Sequence, residues 1–340
     1  MPFLFDECKP QEYDDVWFHR PIYDRLKQMS IDKSIPHIII HGCKGSGKKT
    51  MMQIFLKMLY GKSINRTQKI LYNVCSSGNK IKQEEIQQSL HHIVIEPTNT
   101  NYDKYLVQEI VKTYAQTNVL KSKNTNKCKT IQISNLDKLT HSAQTSLRRM
   151  IEVNSHICRF VMWCENLSNV IDPLKSRCIC IRLAAPKPEE LYAYLVYISA
   201  LKNIDIKLDD VIKIVKYSEC NIEKALLYLE YNMHGYNDYR KTNYTDIINK
   251  MLLLILNKDI DKIEDIRDMF YNVCITNYDG VYIMRDILKK VIRNKKLSEQ
   301  CKANIIIKTS DIEYNMLCGR REIIHFDAFI INIMRCIHIY

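Results

Sequence analysis

Nine consecutive residues, Gly42, Cys43, Lys44, Gly45, Ser46, Gly47, Lys48, Lys49 and Thr50, have the make-up of a phosphate cradle. Glycines let the chain turn tightly enough for several backbone N–H groups to converge on phosphate oxygens. A helix starting at the end of the turn adds the positive end of its dipole. Lys48 stands where an amine meets the terminal phosphates. The strict motif wants Ser or Thr directly after that lysine to hold magnesium, but Lys49 has that place and Thr50 follows one residue late. The loop points to a bound phosphate and argues against a magnesium ion held in the usual way.

Turnover of a bound nucleotide needs more than a cradle. Carboxylates at the end of a neighbouring strand must hold magnesium and orient the attacking water. The strand expected to do this covers residues 130–134, and where two acids would stand it offers Ser134 and Asn135, with Asp137 the one acid that remains. That pattern argues against hydrolysis at this site.

These groups have to be positioned by a sheet. Residues 36–41 (Pro-His-Ile-Ile-Ile-His) read as a buried strand, and beyond the glycine loop Met51, Ile54, Phe55 and Met58 recur at helical spacing up to Gly61. Further strands are expected at 91–96, 130–134, 160–163 and 178–183. A helix with Tyr102, Leu106, Ile110 and Tyr114 on one face follows a loop at 97–101. Another, capped by Thr140, carries Ala143, Leu147, Met150 and Ile151. About five strands with crossover helices make a doubly wound α/β sheet. After Pro188 helical spacing takes over: 189–232 read as three short helices, and 240–340 as a further helical set with Ile323, Phe326, Ile330, Ile333 and Ile337 on one face. The stretch 121–129, rich in Asn and Lys, reads as an exposed loop.

Composition narrows the classes. At 340 residues, with 46% hydrophobic and 26% charged, the chain can fill two or three cores and is neither disordered nor fibrous. The formal charge is +12, and it is uneven: residues 1–185 hold 27 basic and 16 acidic side chains, residues 186–340 hold 23 and 22. A polyanionic partner for the first half is the physical implication. Thirteen scattered cysteines with no CxxC pair and no secretory opening suit a reducing compartment without a zinc site, and no apolar run is long enough to span a bilayer.

Residues 134–149 (Ser-Asn-Leu-Asp-Lys-Leu-Thr-His-Ser-Ala-Gln-Thr-Ser-Leu-Arg-Arg) resemble the Walker B segment and following helix of the small subunits of replication factor C, the eukaryotic and archaeal sliding-clamp loader. Residues 159–178, ending Ile-Asp-Pro-Leu-Lys-Ser-Arg-Cys, resemble that family's sensor 1 region and its Ser-Arg-Cys motif. The Gly-Lys-Lys-Thr end of the cradle and residues 108–116 (Gln-Glu-Ile-Val-Lys-Thr-Tyr-Ala-Gln) are most similar to the family's subunit with a degenerate ATP site. The likeness covers residues 1–235 by motif and the remainder by helical pattern.

The resemblance implies an AAA+ P-loop module at 1–185, a helical lid at 186–236 and an all-helical collar at 237–340. It puts the sensor 1 asparagine at or beside Glu165, with Asn166 next to it, and the sensor 2 arginine at Glu223. An acid facing a phosphate is repulsive. With the strand-end acids also gone, the implied subunit holds ATP or ADP inertly, or holds none. Arg177 survives, and in this family that arginine acts in trans on the neighbouring subunit's phosphates. Implied partners are the other large and small clamp-loader subunits, a PCNA-type sliding clamp and primer-template DNA. Thr140 with the helix it opens, and Lys104, are the implied DNA contacts, and Arg148 and Arg149 are candidates for a subunit interface. The implied place is the nucleus, or a cytoplasmic replication site if the chain is viral; its richness in Ile, Asn, Lys and Tyr fits an AT-rich genome such as that of a large DNA virus.

A second reading is an independently active AAA+ ATPase of the initiator or helicase-loader type, which would use Lys48 and Asp137 for its own turnover. Ser134 and Asn135 favour the first.

Overall fold

The computed structural model describes residues 3–339, apart from 33–34, 62–63, 65, 76–80, 90, 98–102, 117–128, 236–242, 258–261, 276–277, 295–296 and 319–320. The chain divides into two compact units, Met1–Asn237 and Asp238–Tyr340.

The first unit is built on a seven-stranded sheet among the described residues: β1 (Ile38–His41), β2 (Gln68–Cys75), β3 (Ile81–Gln88), β4 (His92–Ile95), β5 (Lys129–Ile133), β6 (Cys158–Cys164) and β7 (Ile179–Arg182). Their order is β2-β3-β4-β5-β6-β1-β7, and β4, β5, β6, β1 and β7 run parallel. All three isoleucines of β1 are fully buried, because the strand is covered on both faces. Ile38 and Ile40 pack under α2 (Arg20–Ile31) and α3 (Lys48–Tyr60). Ile39 faces the other layer, shared with α4 (Asp103–Gln116) and α5 (His141–Asn154).

The sheet is larger than the five parallel strands expected. β2 and β3 form an antiparallel hairpin and β3 pairs antiparallel with β4, so the sheet is mixed at one edge. β3 (Ile-Lys-Gln-Glu-Glu-Ile-Gln-Gln) is polar because an edge hairpin has only one side to bury. Lys129 also departs from the loop expected at 121–129. It opens β5, is buried, and its amine donates to the Tyr114 carbonyl at 2.6 Å. Residues 121–128, the loop at 98–101 and Tyr102 lie outside the described residues.

α1 (Leu4–Glu7) opens the unit and α6 (Asp172–Lys175) precedes β7. Three helices follow the sheet: α7 (Pro188–Leu201), α8 (Leu208–Tyr217) and α9 (Ile222–Met233). The second unit is helical: α10 (Asn243–Asn257), α11 (Ile263–Ile275), α12 (Gly280–Ile292), α13 (Glu299–Cys318) and α14 (Glu322–Ile339), around a core that includes Met251, Phe270, Ile287 and Phe326. Phe326, Ile330 and Ile333 of the expected α14 face are buried. No described helix is long and apolar enough to cross a membrane.

Candidate functional site

The glycine loop joins the end of β1 to the start of α3, with Gly47 at the helix N-cap position and no side chain capping the helix. Its glycines answer to separate demands. A Cβ on Gly42 would lie 2.0 Å from the Leu183 carbonyl oxygen, so only glycine lets the loop pass the end of β7. Gly45 and Gly47 have φ of 77° and 87°, the left-handed region that L side chains avoid. Ser46 donates its hydroxyl to the Cys43 carbonyl at 2.9 Å, tightening the turn.

Lys48 is buried, and its amine donates to the carbonyls of Gly42 at 2.7 Å and Cys43 at 2.6 Å. Burial holds this amine below its ordinary pKa, against the opposing pull of Glu165 first, then Cys43, Cys164 and Asp137. Trp163 presents its ring 5.6 Å from the amine.

The loop forms one wall of a cavity of about 490 Å³. Lys44, Gly45, Ser46, Gly47, Lys48, Lys49 and Thr50 line it, as do Glu165 and Glu223. Trp17, Phe18, His19 and Tyr194 supply an aromatic wall, with Ile222 and Leu226 of α9. His19 is held below its ordinary pKa by burial, with Glu190 opposing. The residues fit a nucleotide. Uncapped helix N–H groups and a buried amine converge beside glycine turns, and an apolar, aromatic surface adjoins them.

The acids are arranged differently from those of a hydrolytic site. Ser134 is buried at the end of β5, and Asn135 adopts a left-handed conformation with φ of 48°. Asp137 sits in the short turn after it, where its Oδ2 accepts from the backbone N–H groups of Glu165 at 3.2 Å and Asn166 at 3.1 Å. Ser134, Asn135, Asp137 and Asn166 do not line the cavity. The carboxylates that do line it are Asp6, Asp15, Glu165 and Glu223, the last two at positions where the resemblance expected phosphate-sensing groups.

Two links escaped sequence reasoning. Asn221 caps α9 by accepting from the Lys224 N–H at 3.1 Å, while its amide nitrogen donates to the Lys44 carbonyl at 3.2 Å. The cap was legible from Asn221 preceding an apolar helix; its reach to the cradle was not. Gln144, buried in α5, donates to the Leu139 and Asn169 carbonyls, each at 3.0 Å, and accepts from the Ile171 N–H at 2.9 Å.

The remaining predicted residues lie elsewhere in the unit. Thr140 caps α5, its hydroxyl accepting from the Ala143 N–H at 3.4 Å. Lys104 is half-buried in the first turn of α4 with its amine 5.9 Å from the Tyr105 ring. Arg177 follows α6, donating to the Pro173 carbonyl at 2.8 Å and pairing with Glu152 at 2.6 Å. Cys178, beside it, is a packed thiol pushed up to about 12 by burial.

A largely parallel sheet with helices on both faces, a glycine cradle between strand and helix, and three helices after the sheet with α9 reaching that cradle define a P-loop nucleotide-binding module of the AAA+ type. A Thermotoga maritima RuvB variant shares this fold with a TM-score of 0.50 at 13% identity, covering 73% of this chain and 79% of that one. Residues 18–187 match the family model described as DNA polymerase III, delta subunit, and residues 245–332 match the replication factor C C-terminal domain. A replication factor C small subunit of Acanthamoeba polyphaga mimivirus is 37% identical over 98% of this chain and 90% of its own length. Replication factor C subunit 3 of Arabidopsis thaliana is 26% identical over 97% and 96%, and that of Homo sapiens 24% identical over 98% and 96%. The chain belongs to the replication factor C small-subunit family, the small subunits of the clamp loader.

Proposed function

We propose that this subunit holds a nucleotide without turning it over and delivers Arg177 to the ATP site of a neighbouring subunit. The observation that carries the first half is the fate of Asp137. The one acid left after β5 spends its Oδ2 on two backbone N–H groups and does not line the cavity. A nucleotide held here supplies the phosphate charge that Lys48 and the α3 N-terminus neutralise. Lys48 leaves the carbonyls of Gly42 and Cys43 to do so, and Glu165 and Glu223 make the site less welcoming to the most highly charged phosphate end. Lys49, in the place of the magnesium-holding hydroxyl, keeps the metal's usual anchor absent, and Thr50 stands one residue late. Whether the nucleotide is ATP or ADP is part of the test.

Arg177 supports the second half. Its permanently charged, planar group suits a transition-state phosphate. It stands away from the cavity of its own chain, as a group serving another chain must.

The complex in which this occurs contains the other large and small clamp-loader subunits, opens a PCNA-type ring clamp and loads it on primer-template DNA. The basic surplus of residues 1–185 supports a polyanion on this half. The start of α5, capped by Thr140, forms with Lys104 the proposed track for DNA phosphates. We assign the AAA+ module to 1–185, the lid to 186–236 and the collar to 237–340. The site of action is the nucleus or, for a viral protein, a cytoplasmic replication site, with reduced thiols.

The test is ATP turnover and retained nucleotide on the purified chain with magnesium and primed DNA. Retained nucleotide without turnover supports the proposal; an empty site without turnover overturns the retained nucleotide and leaves the delivery of Arg177 standing. Steady turnover that vanishes in Lys48→Ala overturns it in favour of an independent ATPase.

A further inference from the structure

Arg177 is already engaged within its own chain. One terminal nitrogen of its guanidinium donates to the Pro173 carbonyl at 2.8 Å and reaches the Ser176 hydroxyl at 3.4 Å, and the other pairs with Glu152 Oε1 at 2.6 Å. Glu152 lies in the last turns of α5, whereas Arg177 follows α6, so the pair ties two separate elements together. Arg148, one turn earlier on α5, stands 3.9 Å from the same Glu152 oxygen. Its Nε is buried and has no hydrogen-bond partner. One carboxylate therefore faces two cations. It holds one by a close contact, and the second stands 3.9 Å from the same oxygen.

We propose that Glu152 is a positioning residue that parks Arg177 in the free subunit and hands it over when a neighbour's phosphates arrive, Arg148 then taking its place on the carboxylate. This rests on the reading of Arg177 as a group acting in trans. The physical case is one of competition. Both partners are partly exposed, 37% for Arg177 and 40% for Glu152, and such a pair is weak. A phosphate group carries more charge than a carboxylate and offers the same fork-shaped geometry to a guanidinium, so it displaces Glu152 when it is within reach. Losing Arg177 would leave the carboxylate without its near cation, and the adjacent Arg148, whose Nε lacks an acceptor, removes that cost. The exchange makes deployment of Arg177 depend on the neighbour being seated, with a nearly balanced change in contacts inside this chain.

The experiment uses the assembled clamp loader, comparing ATP hydrolysis without and with clamp and primed DNA for Glu152→Gln, Glu152→Asp, Arg148→Ala and Arg177→Ala. Glu152→Gln keeps the shape and removes the charge. The unstimulated kcat is expected to rise by about two- to fivefold, the shift available from a partly exposed pair, with KM and the stimulated rate unchanged. Glu152→Asp keeps the charge and is expected to restore the parent ratio, which a packing role would not do. Arg148→Ala removes the receiving cation and is expected to lower the stimulated rate. Adding Arg177→Ala to Glu152→Gln must abolish the rise. An unstimulated rate that is unchanged or lower in an assembled Glu152→Gln complex, with Arg177→Ala alone inactivating, overturns the parking role and leaves the reading of Arg177 standing. Full turnover in Arg177→Ala alone overturns both.

Discussion

The Asn221 side chain binds the Lys44 carbonyl with its nitrogen, at 3.2 Å, and the Lys224 N–H with its oxygen, at 3.1 Å. One amide thus caps α9 and fastens that helix to the phosphate cradle. The contact is close enough that a Cβ on Gly45 would meet the Asn221 oxygen at 2.0 Å. Helix α9 also carries Glu223, which lines the same cavity as the cradle, so Asn221 ties the helix bearing that acid to the loop.

The two roles of Asn221 separate by substitution. Asn221→Ala loses the cap and the link, and unfolding in urea should show a loss of about 1 kcal/mol. Asn221→Asp keeps a capping oxygen but sets a carboxylate against the Lys44 carbonyl. It should keep the parent stability while retaining less nucleotide. Equal stability losses in both variants would mean that the link, not the cap, carries the energy.

Gln144 satisfies three backbone groups at once, the carbonyls of Leu139 and Asn169 and the N–H of Ile171. Gln144→Leu fills similar space and orphans all three. Unfilled backbone partners in a buried setting cost roughly 3 kcal/mol together, so the midpoint of urea unfolding should fall clearly. Ile171 immediately precedes α6, and Arg177 follows it, so the same substitution should lower turnover of the assembled complex even below the unfolding range.

Arg177 and Lys48 predict opposite patterns in an assembled complex. Arg177→Ala should reduce hydrolysis at the neighbouring site by about a hundredfold or more, while nucleotide retained by this chain stays as it was. Lys48→Ala should release this chain's nucleotide, because the buried amine is the cradle's cation, and leave turnover of the complex nearly intact. Separate measurement of bound nucleotide and hydrolysed phosphate distinguishes the two.

The contrast between legible and hidden parts has physical causes. β1 was readable because three successive isoleucines before a glycine loop are typical of a strand buried on both faces. α5 was readable because Thr140 supplies a cap and Ala143, Leu147 and Ile151 keep helical register. The β2–β3 hairpin was not, since β3 offers two isoleucines among six polar residues and its pairing is set by partners far along the chain. At the site, the cradle announced itself by local spacing. Lys129 looked like one more lysine of a polar loop, because its acceptor, the Tyr114 carbonyl, belongs to another element. The aromatic wall of Trp17, Phe18, His19 and Tyr194 was likewise invisible, being assembled from segments more than a hundred and seventy residues apart.

Thiol labelling gives a direct probe of the cradle. The thiolate is the reactive form, so a raised pKa suppresses labelling at neutral pH. Burial pushes Cys164 and Cys178 each up to about 12, and both should stay silent toward a maleimide at pH 7.5 and react only after unfolding. Cys43 is exposed on the phosphate loop and should label first among these three. Its carbonyl is one of the two acceptors of the Lys48 amine, so a nucleotide that draws Lys48 away also alters the loop that carries the thiol. Labelling of Cys43, followed by mass spectrometry, should slow when ATP or ADP is added to the parent chain and remain unaffected by nucleotide in Lys48→Ala. A Cys43 rate indifferent to both nucleotides in the parent chain would show that the cradle holds neither, and the reading of a retained nucleotide would give way to that of an empty site.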